Sequence, residues 1–162
     1  MTELMDDALE DMRLTIESAS VGLSSMSDLE SETPRQAGKW SAKEILGHLI
    51  DSATNNHARF VTAQLKDDLV FEGYDQEAWV VKQRYQQSSW FELVTLWKYY
   101  NLHLLHLVAS IPEDVLKQPR PRHSLNTIAW KPVDEAKPAT LEYLIRDYIE
   151  HMKHHLRQIL DA

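Results

Sequence analysis

Trp40-Ser41-Ala42-Lys43-Glu44-Ile45-Leu46-Gly47-His48-Leu49-Ile50 decides how this chain folds. Ser41 and Glu44 stand three residues apart, just ahead of an apolar run. That is the spacing of a capping box, in which a serine hydroxyl and a glutamate carboxylate each satisfy a free backbone N–H at a helix start. Trp40 is placed to staple the first turn. Beyond the box, Ile45, Leu46, Leu49, Ile50, Ala53, Val61 and Leu65 recur at helical steps. They predict an amphipathic helix from Ser41 to about Lys66.

The rest of the chain follows the same pattern. Only four glycines and six prolines interrupt 162 residues, so long helices are expected. Leu4, Ala8, Met12, Ile16, Ala19, Leu23 and Met26 predict a first helix over residues 2–27, broken by the linker Ser31 to Gly38. Residues 67–87 read as a long connection with a helical turn near Gln76 to Val81. A connection this long means that the next helix need not be the nearest neighbour. Ser89 and Glu92 form a second capping box before a helix running to about Ser110. Phe91, Leu93, Val94, Leu96, Trp97, Tyr100, Leu104, Leu105, Leu107 and Val108 leave that helix little polar surface. It is therefore expected to be central or covered by a partner subunit. Residues 111–139 carry five of the six prolines and read as irregular. Thr140 is the expected N-cap of a last helix that ends near Leu160, with Leu141, Ile145, Tyr148, Ile149, Met152, Leu156 and Ile159 as its apolar stripe. Four long helices and no strand pattern predict an all-α fold: a four-helix bundle with long connections between helices two and three and between three and four. Residues 1–162 are read as a single domain.

Composition narrows the function. A 43% hydrophobic and 26% charged chain has the balance of a soluble globular protein. No apolar run approaches the roughly 18 residues of a membrane span, and the N-terminus lacks a signal-peptide pattern. A cytoplasmic location with no membrane partner is expected. The net charge of −8, with no dense Lys/Arg stripe, argues against a nucleic-acid partner. With no cysteine there is no thiolate catalysis, disulfide or thiolate metal site. Any transition-metal site has to use His with Asp or Glu.

The last helix carries His151 and His155, one turn apart and about 40° apart around the axis. Eight histidines in this length give about 0.4 chance pairs at that spacing, so the pair needs support. The ordinary alternative is a histidine-rich solvated helix end, favoured by the C-terminal dipole. Helical phase puts His155 beside the apolar stripe, His151 at its edge and His154 on the polar side, facing water. On the second helix His48 borders the stripe and shares a side with Glu44, Ser52, Asn55 and Arg59. That seam is either a solvated face or the wall of a polar pocket.

Together His48, His151 and His155 offer three imidazole ligands from two helices and leave a coordination position open. This is the usual catalytic arrangement for zinc, and imidazole suits nickel as well. An ion so held lowers the pKa of a bound water. Glu44 or Asp51 is then a partner for a ligand N–H or a proton-transfer group, and Asn55 and Arg59 are candidates for substrate binding. A competing pair, His103 and His106, reads as partly buried or interface histidines. His57 and His123 read as surface or loop residues, and Trp79, Trp90, Trp97 and Trp130 as core or interface anchors.

At this point the residues resemble a family. Lys39 to Ser52 is similar to the second helix of the DinB/YfiT-like proteins, Gly73-Tyr74-Asp75-Gln76-Glu77-Ala78-Trp79-Val80 to their linker, and Thr140 to Ile159 to their closing helix. The resemblance spans nearly the whole chain, with the three motifs in order. It implies a four-helix bundle, often a homodimer, with one divalent metal ion, zinc or nickel, on His48, His151 and His155. Members of the family are described as metal-dependent hydrolases, which implies an activated water attacking a small-molecule substrate. Relatives in the wider superfamily are transferases or isomerases that use a low-molecular-weight thiol; on that alternative Arg59, Arg84 or Arg120 would meet the carboxylate of the thiol. A third alternative is a non-catalytic helical dimer acting in a stress response, suggested by the apolar third helix and the tryptophans.

Overall fold

Eight helices carry the fold of the computed structural model, which describes residues 3–161 and their side chains from Met5 onward. The first two residues of the expected first helix, and the Leu4 side chain, lie outside the described residues. The helices are α1 (Glu3–Ser24), α2 (Asp28–Glu32), α3 (Ala42–Thr62), α4 (Gln76–Gln83), α5 (Trp90–Ala109), α6 (Glu113–Lys117), α7 (Leu125–Ile128) and α8 (Leu141–Leu160). A 3-10 turn at Tyr85–Gln87 follows α4. The expected four-helix bundle is formed by α1, α3, α5 and α8. No described helix is long and apolar enough to cross a membrane.

The caps form largely as the sequence predicts. Ser41 Oγ accepts the Glu44 N–H at 3.2 Å, and Glu44 Oε1 accepts the Ser41 N–H at 3.1 Å. Thr140 Oγ1 accepts the Tyr143 N–H at 3.1 Å at the start of α8. Ser89 accepts from Glu92 at 3.3 Å, but the return bond that would complete the second box is absent. A box the sequence reading passed over, Ser27 with Glu30, starts α2 inside the gap between α1 and α3.

Both α1 and α3 pack against α5 and α8. α1 and α3 therefore occupy opposite corners, as do α5 and α8. The chain crosses the bundle diagonally twice, through α2 and then through α6 and α7. Long as it is, the connection over residues 67–87 joins direct neighbours, α3 and α5. That connection is long because it folds back over one end of the bundle. The core runs between the four helices, where Ile16, Leu23, Leu46, Phe60, Trp97, Leu104, Leu141 and Ile145 are fully buried. Each such side chain contributes about 1.5–3 kcal/mol of transfer free energy.

Three helix readings need adjustment. α3 ends at Thr62, four residues short of Lys66, so Leu65 leaves the stripe and is 80% exposed. On α5 one side is buried, while Phe91, Leu96 and Tyr99 are exposed. The proline-rich stretch 111–139 is not wholly irregular, since α6 and α7 form within it.

The two long connections are stitched together. Arg120, 1% exposed, donates to the carbonyls of Ala63, Lys66 and Val115. Leu69 and His123 form a parallel bridge. Ser124 Oγ accepts the Phe71 N–H at 2.8 Å and donates to the Phe71 carbonyl at 2.9 Å. His123 is buried rather than superficial: Nε2–H donates to the Lys137 carbonyl at 2.6 Å, and Nδ1 accepts the Leu125 N–H at 3.1 Å. These bonds hold residues 71–76 and 127–130 beside α3 and α8, where the histidines are.

Candidate metal centre

His48 leaves α3 toward α8 and is 1% exposed. Its Nε2 lies 3.3 Å from Nε2 of His151. Its ring centroid is 4.8 Å from that of His155, and His151 and His155 are 4.5 Å apart. One ligand atom from each of the three lies within 4.8 Å of the others. Two neutral nitrogens at 3.3 Å require a proton or a cation between their lone pairs.

Burial sets the protonation. Desolvation, and then the nearby His155, push His48 down to about 4. Desolvation, followed by the other three histidines, takes His151 down to about 3. His155 is lowered by burial, partly offset by its bond to Gln158. All three are neutral near pH 7 and present lone pairs. A neutral ring donates from one nitrogen only. His155 spends its N–H at Nδ1, 2.7 Å from Gln158 Oε1, which leaves Nε2 free. His48 Nδ1 is buried with no protein partner. Three convergent neutral nitrogens and no carboxylate among them fit a divalent first-row cation.

The same shifts give a stability prediction. Unfolded histidines titrate near 6.5, whereas His48 and His151 titrate at about 4 and 3 in the folded chain. Between those limits the unfolded chain binds more protons, so stability of the metal-free protein falls as pH falls. Melts in chelator at pH 7.5 and 5 should show the loss, about 2 kcal/mol from the two residues together after discounting for their coupling. The loss should shrink in His48→Leu; an equal loss in both proteins would exclude this origin.

A cavity of about 420 Å³ opens beside the cluster, lined by His151 and His155, by Ser52, Asn56, Arg59 and Tyr148, and by Tyr74, Trp130 and Asp147. His155 also borders a second cavity of about 710 Å³ with Trp40 and Ile45. The Trp40 ring lies 5.3 Å from His48.

The structure places the other expected site residues as follows. Glu44 is engaged in the α3 cap. Asp51 turns to the α4 side: Oδ1 accepts from the Tyr85 hydroxyl at 2.6 Å and from Gln83 Nε2 at 2.8 Å, while Oδ2 is buried without a partner. Asn55 bonds back to the Asp51 carbonyl and does not line the cavity; its neighbour Asn56 does. The buried seam on α3 is thus His48, Ser52, Asn56 and Arg59. Asn56 was readable as the residue four past Ser52.

His154 is half-buried, with its ring 5.1 Å from Trp130. Trp130 is 38% exposed and also meets His151 at 5.8 Å. It belongs to the cavity wall, whereas Trp90 and Trp97 are core residues as expected and Trp79, partly exposed, packs at a tilt against Tyr74. Asp147 fixes Trp130 in place by accepting the Trp130 and Lys131 N–H groups, both at 2.8 Å. His103 and His106 are exposed and 6.4 Å apart, and His57 bonds Tyr100.

The chain resembles known proteins in sequence and in fold. Over 54 residues the chain is 32% identical to YfiT of Bacillus subtilis (strain 168), named "Putative metal-dependent hydrolase". Over 77 residues it is 21% identical to a protein of the same description from Bacillus mycoides (strain KBAB4). These segments are 33% and 48% of this chain, and 30% and 44% of the relatives' own lengths. In three dimensions, 98% of the chain superposes on 86% of a solved YfiT structure with a TM-score of 0.78 and 19% identity. That protein is described as "a probable metal-dependent hydrolase with an unusual four-helix bundle topology". The four-helix bundle seen here matches that fold. The DinB superfamily model extends over residues 12–159, taking in all three histidines and both long connections, and the chain belongs to that superfamily.

Proposed function

We propose that this protein is a metal-dependent hydrolase of a small-molecule substrate, with His48, His151 and His155 holding one divalent ion, zinc or nickel. The observation that carries the reading is the convergence of three neutral imidazoles beside a cavity of about 420 Å³. When bound, such an ion supplies Lewis-acid polarisation of the scissile group and a nucleophilic water at neutral pH. The chain's own residues support that chemistry. Gln158 fixes the His155 ring by accepting its Nδ1–H, the kind of outer bond that orients a ligand. Trp130 packs its ring beside His151 and His154 on the cavity wall. The hydrolase names of the relatives lend support.

Elemental analysis of protein purified without a histidine tag, followed by ester and amide hydrolysis assays, tests the reading. About one zinc or nickel per chain and hydrolysis abolished by chelation are expected. Metal-free protein that takes up no metal overturns it, as does consumption of an added thiol in place of hydrolysis.

A further inference from the structure

Three arginines differ sharply in what their charge meets. Arg120 is sealed among backbone carbonyls, and Arg84 is an exposed cap in the left-handed region after α4. Arg59 is different. It is 7% exposed, yet it lines the same cavity as His151 and His155. Its Nη2 donates to the Glu72 carbonyl at 2.9 Å and its Nη1 to Asn56 Oδ1 at 3.5 Å. A guanidinium has five N–H donors, so most of its donor capacity is left over. Among the described residues no carboxylate pairs with it.

An uncompensated cation this deeply buried is costly. Burial lowers the Arg59 pKa, and the titratable group that bears on it is the Tyr74 phenol, itself pushed up to about 12 by burial and so neutral near pH 7. Asp147 shares the cavity wall, but its oxygens are taken by the Trp130 and Lys131 N–H groups and its charged neighbour is Lys131. The cavity thus joins a neutral-nitrogen cluster to one forked cation with open donors.

We propose that this cavity binds a substrate bearing a single carboxylate, with the carboxylate on the Arg59 guanidinium and the reacting end at His48, His151 and His155. The carboxylate subsite stands on Arg59 alone; the placement of the reacting end rests on the metal-dependent reading above. A carboxylate matches a guanidinium in a forked, bidentate pair. One cation also matches one negative charge: a phosphate dianion would leave a surplus charge in a cavity that already contains Asp147. Asn56 Oδ1 and the Glu72 carbonyl already hold the guanidinium, so little side-chain order is lost on binding.

The test is calorimetric, on the full chain stripped of metal so that no ion can ligate the probe. Butyrate is compared with butyramide, benzoate with benzamide, and inorganic phosphate is titrated separately. In at least one pair the carboxylate should bind about tenfold or more tighter than its amide. Arg59→Gln, which keeps a donor for Glu72, should abolish the preference, and Arg59→Lys should retain part of it. Equal binding of acid and amide in both pairs overturns the proposal, as does a preference that survives in Arg59→Gln. Phosphate binding tighter than either carboxylate overturns the monoanion assignment. The wild-type comparison stands even if a variant fails to fold. Metal content, measured separately, keeps the two readings apart: metal uptake without carboxylate preference leaves the hydrolase reading and removes this one, and the reverse result does the opposite.

Discussion

Alanine at His48, His151 or His155, one position at a time, should lower divalent-metal affinity by at least about 100-fold, the upper end of what loss of a mere orienting partner costs. Each ring supplies one of three convergent nitrogens, and no neighbouring carboxylate can replace it. His154→Ala and His103→Ala should leave metal content unchanged, because neither belongs to the cluster. Stability gives a second signature, with a change of sign. In metal-free protein His48 buries an unpartnered Nδ1, a liability of about 1–3 kcal/mol. His48→Leu removes that atom at similar volume, so the metal-free variant should be about 1 kcal/mol more stable than wild type. Saturating zinc or nickel should raise the wild-type melting temperature, since an ion at 100–1,000 times its Kd adds about 3–4 kcal/mol, or roughly 6–16 °C for a chain of this size. The His48→Leu protein should show no such rise. A merely structural histidine would give loss of stability in both conditions. Full metal retention in all three alanine proteins would sink the metal centre.

How much of this was legible in the sequence varied with the distance over which each feature is determined. The Ser41–Glu44 box and the stripe of α3 are local, and they formed as read. The choice of His155 over His154 for the cluster needed only helical phase, and the geometry bears it out. The connections were harder. Nothing local announces that Arg120 and His123 will be buried as clamps, because their partners, Lys66 and Lys137 among them, are brought up by the return of the chain over the bundle end. The same return supplies Tyr74 and Trp130 to the cavity, so the wall opposite the histidines was invisible in the helix patterns. Asn55 was read into the seam, and Asn56 lies within one helical step of it. Only the pitch of the packed helix against α8 separates them, and that depends on side chains from elsewhere. Asp51 illustrates another limit: its phase near His48 suggested a ligand partner, but Tyr85, 34 positions on, claimed its oxygen.

Gly47→Ala should be among the most damaging single changes in the chain, against its helix propensity. Alanine in a helix interior is favoured over glycine by about 1 kcal/mol, so an unobstructed Gly47 would make this change stabilising. Here a Cβ would stand 2.1 Å from Tyr85 Cδ2 and 2.4 Å from its Cγ. The ring has little freedom to retreat, being 6% exposed and anchored by its hydroxyl to Asp51 at 2.6 Å. Withdrawing it would strip a partner from a buried carboxylate whose other oxygen already has none. Overpacking costs about 1–3 kcal/mol or more, and the lost bond to a buried charged group adds to it. These outweigh the propensity gain and leave a net loss of about 3 kcal/mol, a fall of roughly 6–12 °C in melting temperature. The cause can be isolated by deleting the obstacle. In a Tyr85→Ala background, Gly47→Ala no longer meets the ring, and its propensity should emerge as a gain of about 1 kcal/mol. The substitution thus changes sign between the two backgrounds, a result that a general weakening of α3 cannot produce. His48 follows Gly47 directly, so any shift of α3 that relieves the clash also moves the nitrogen 3.3 Å from His151. Metal affinity should therefore fall with stability in Gly47→Ala and recover in the double variant.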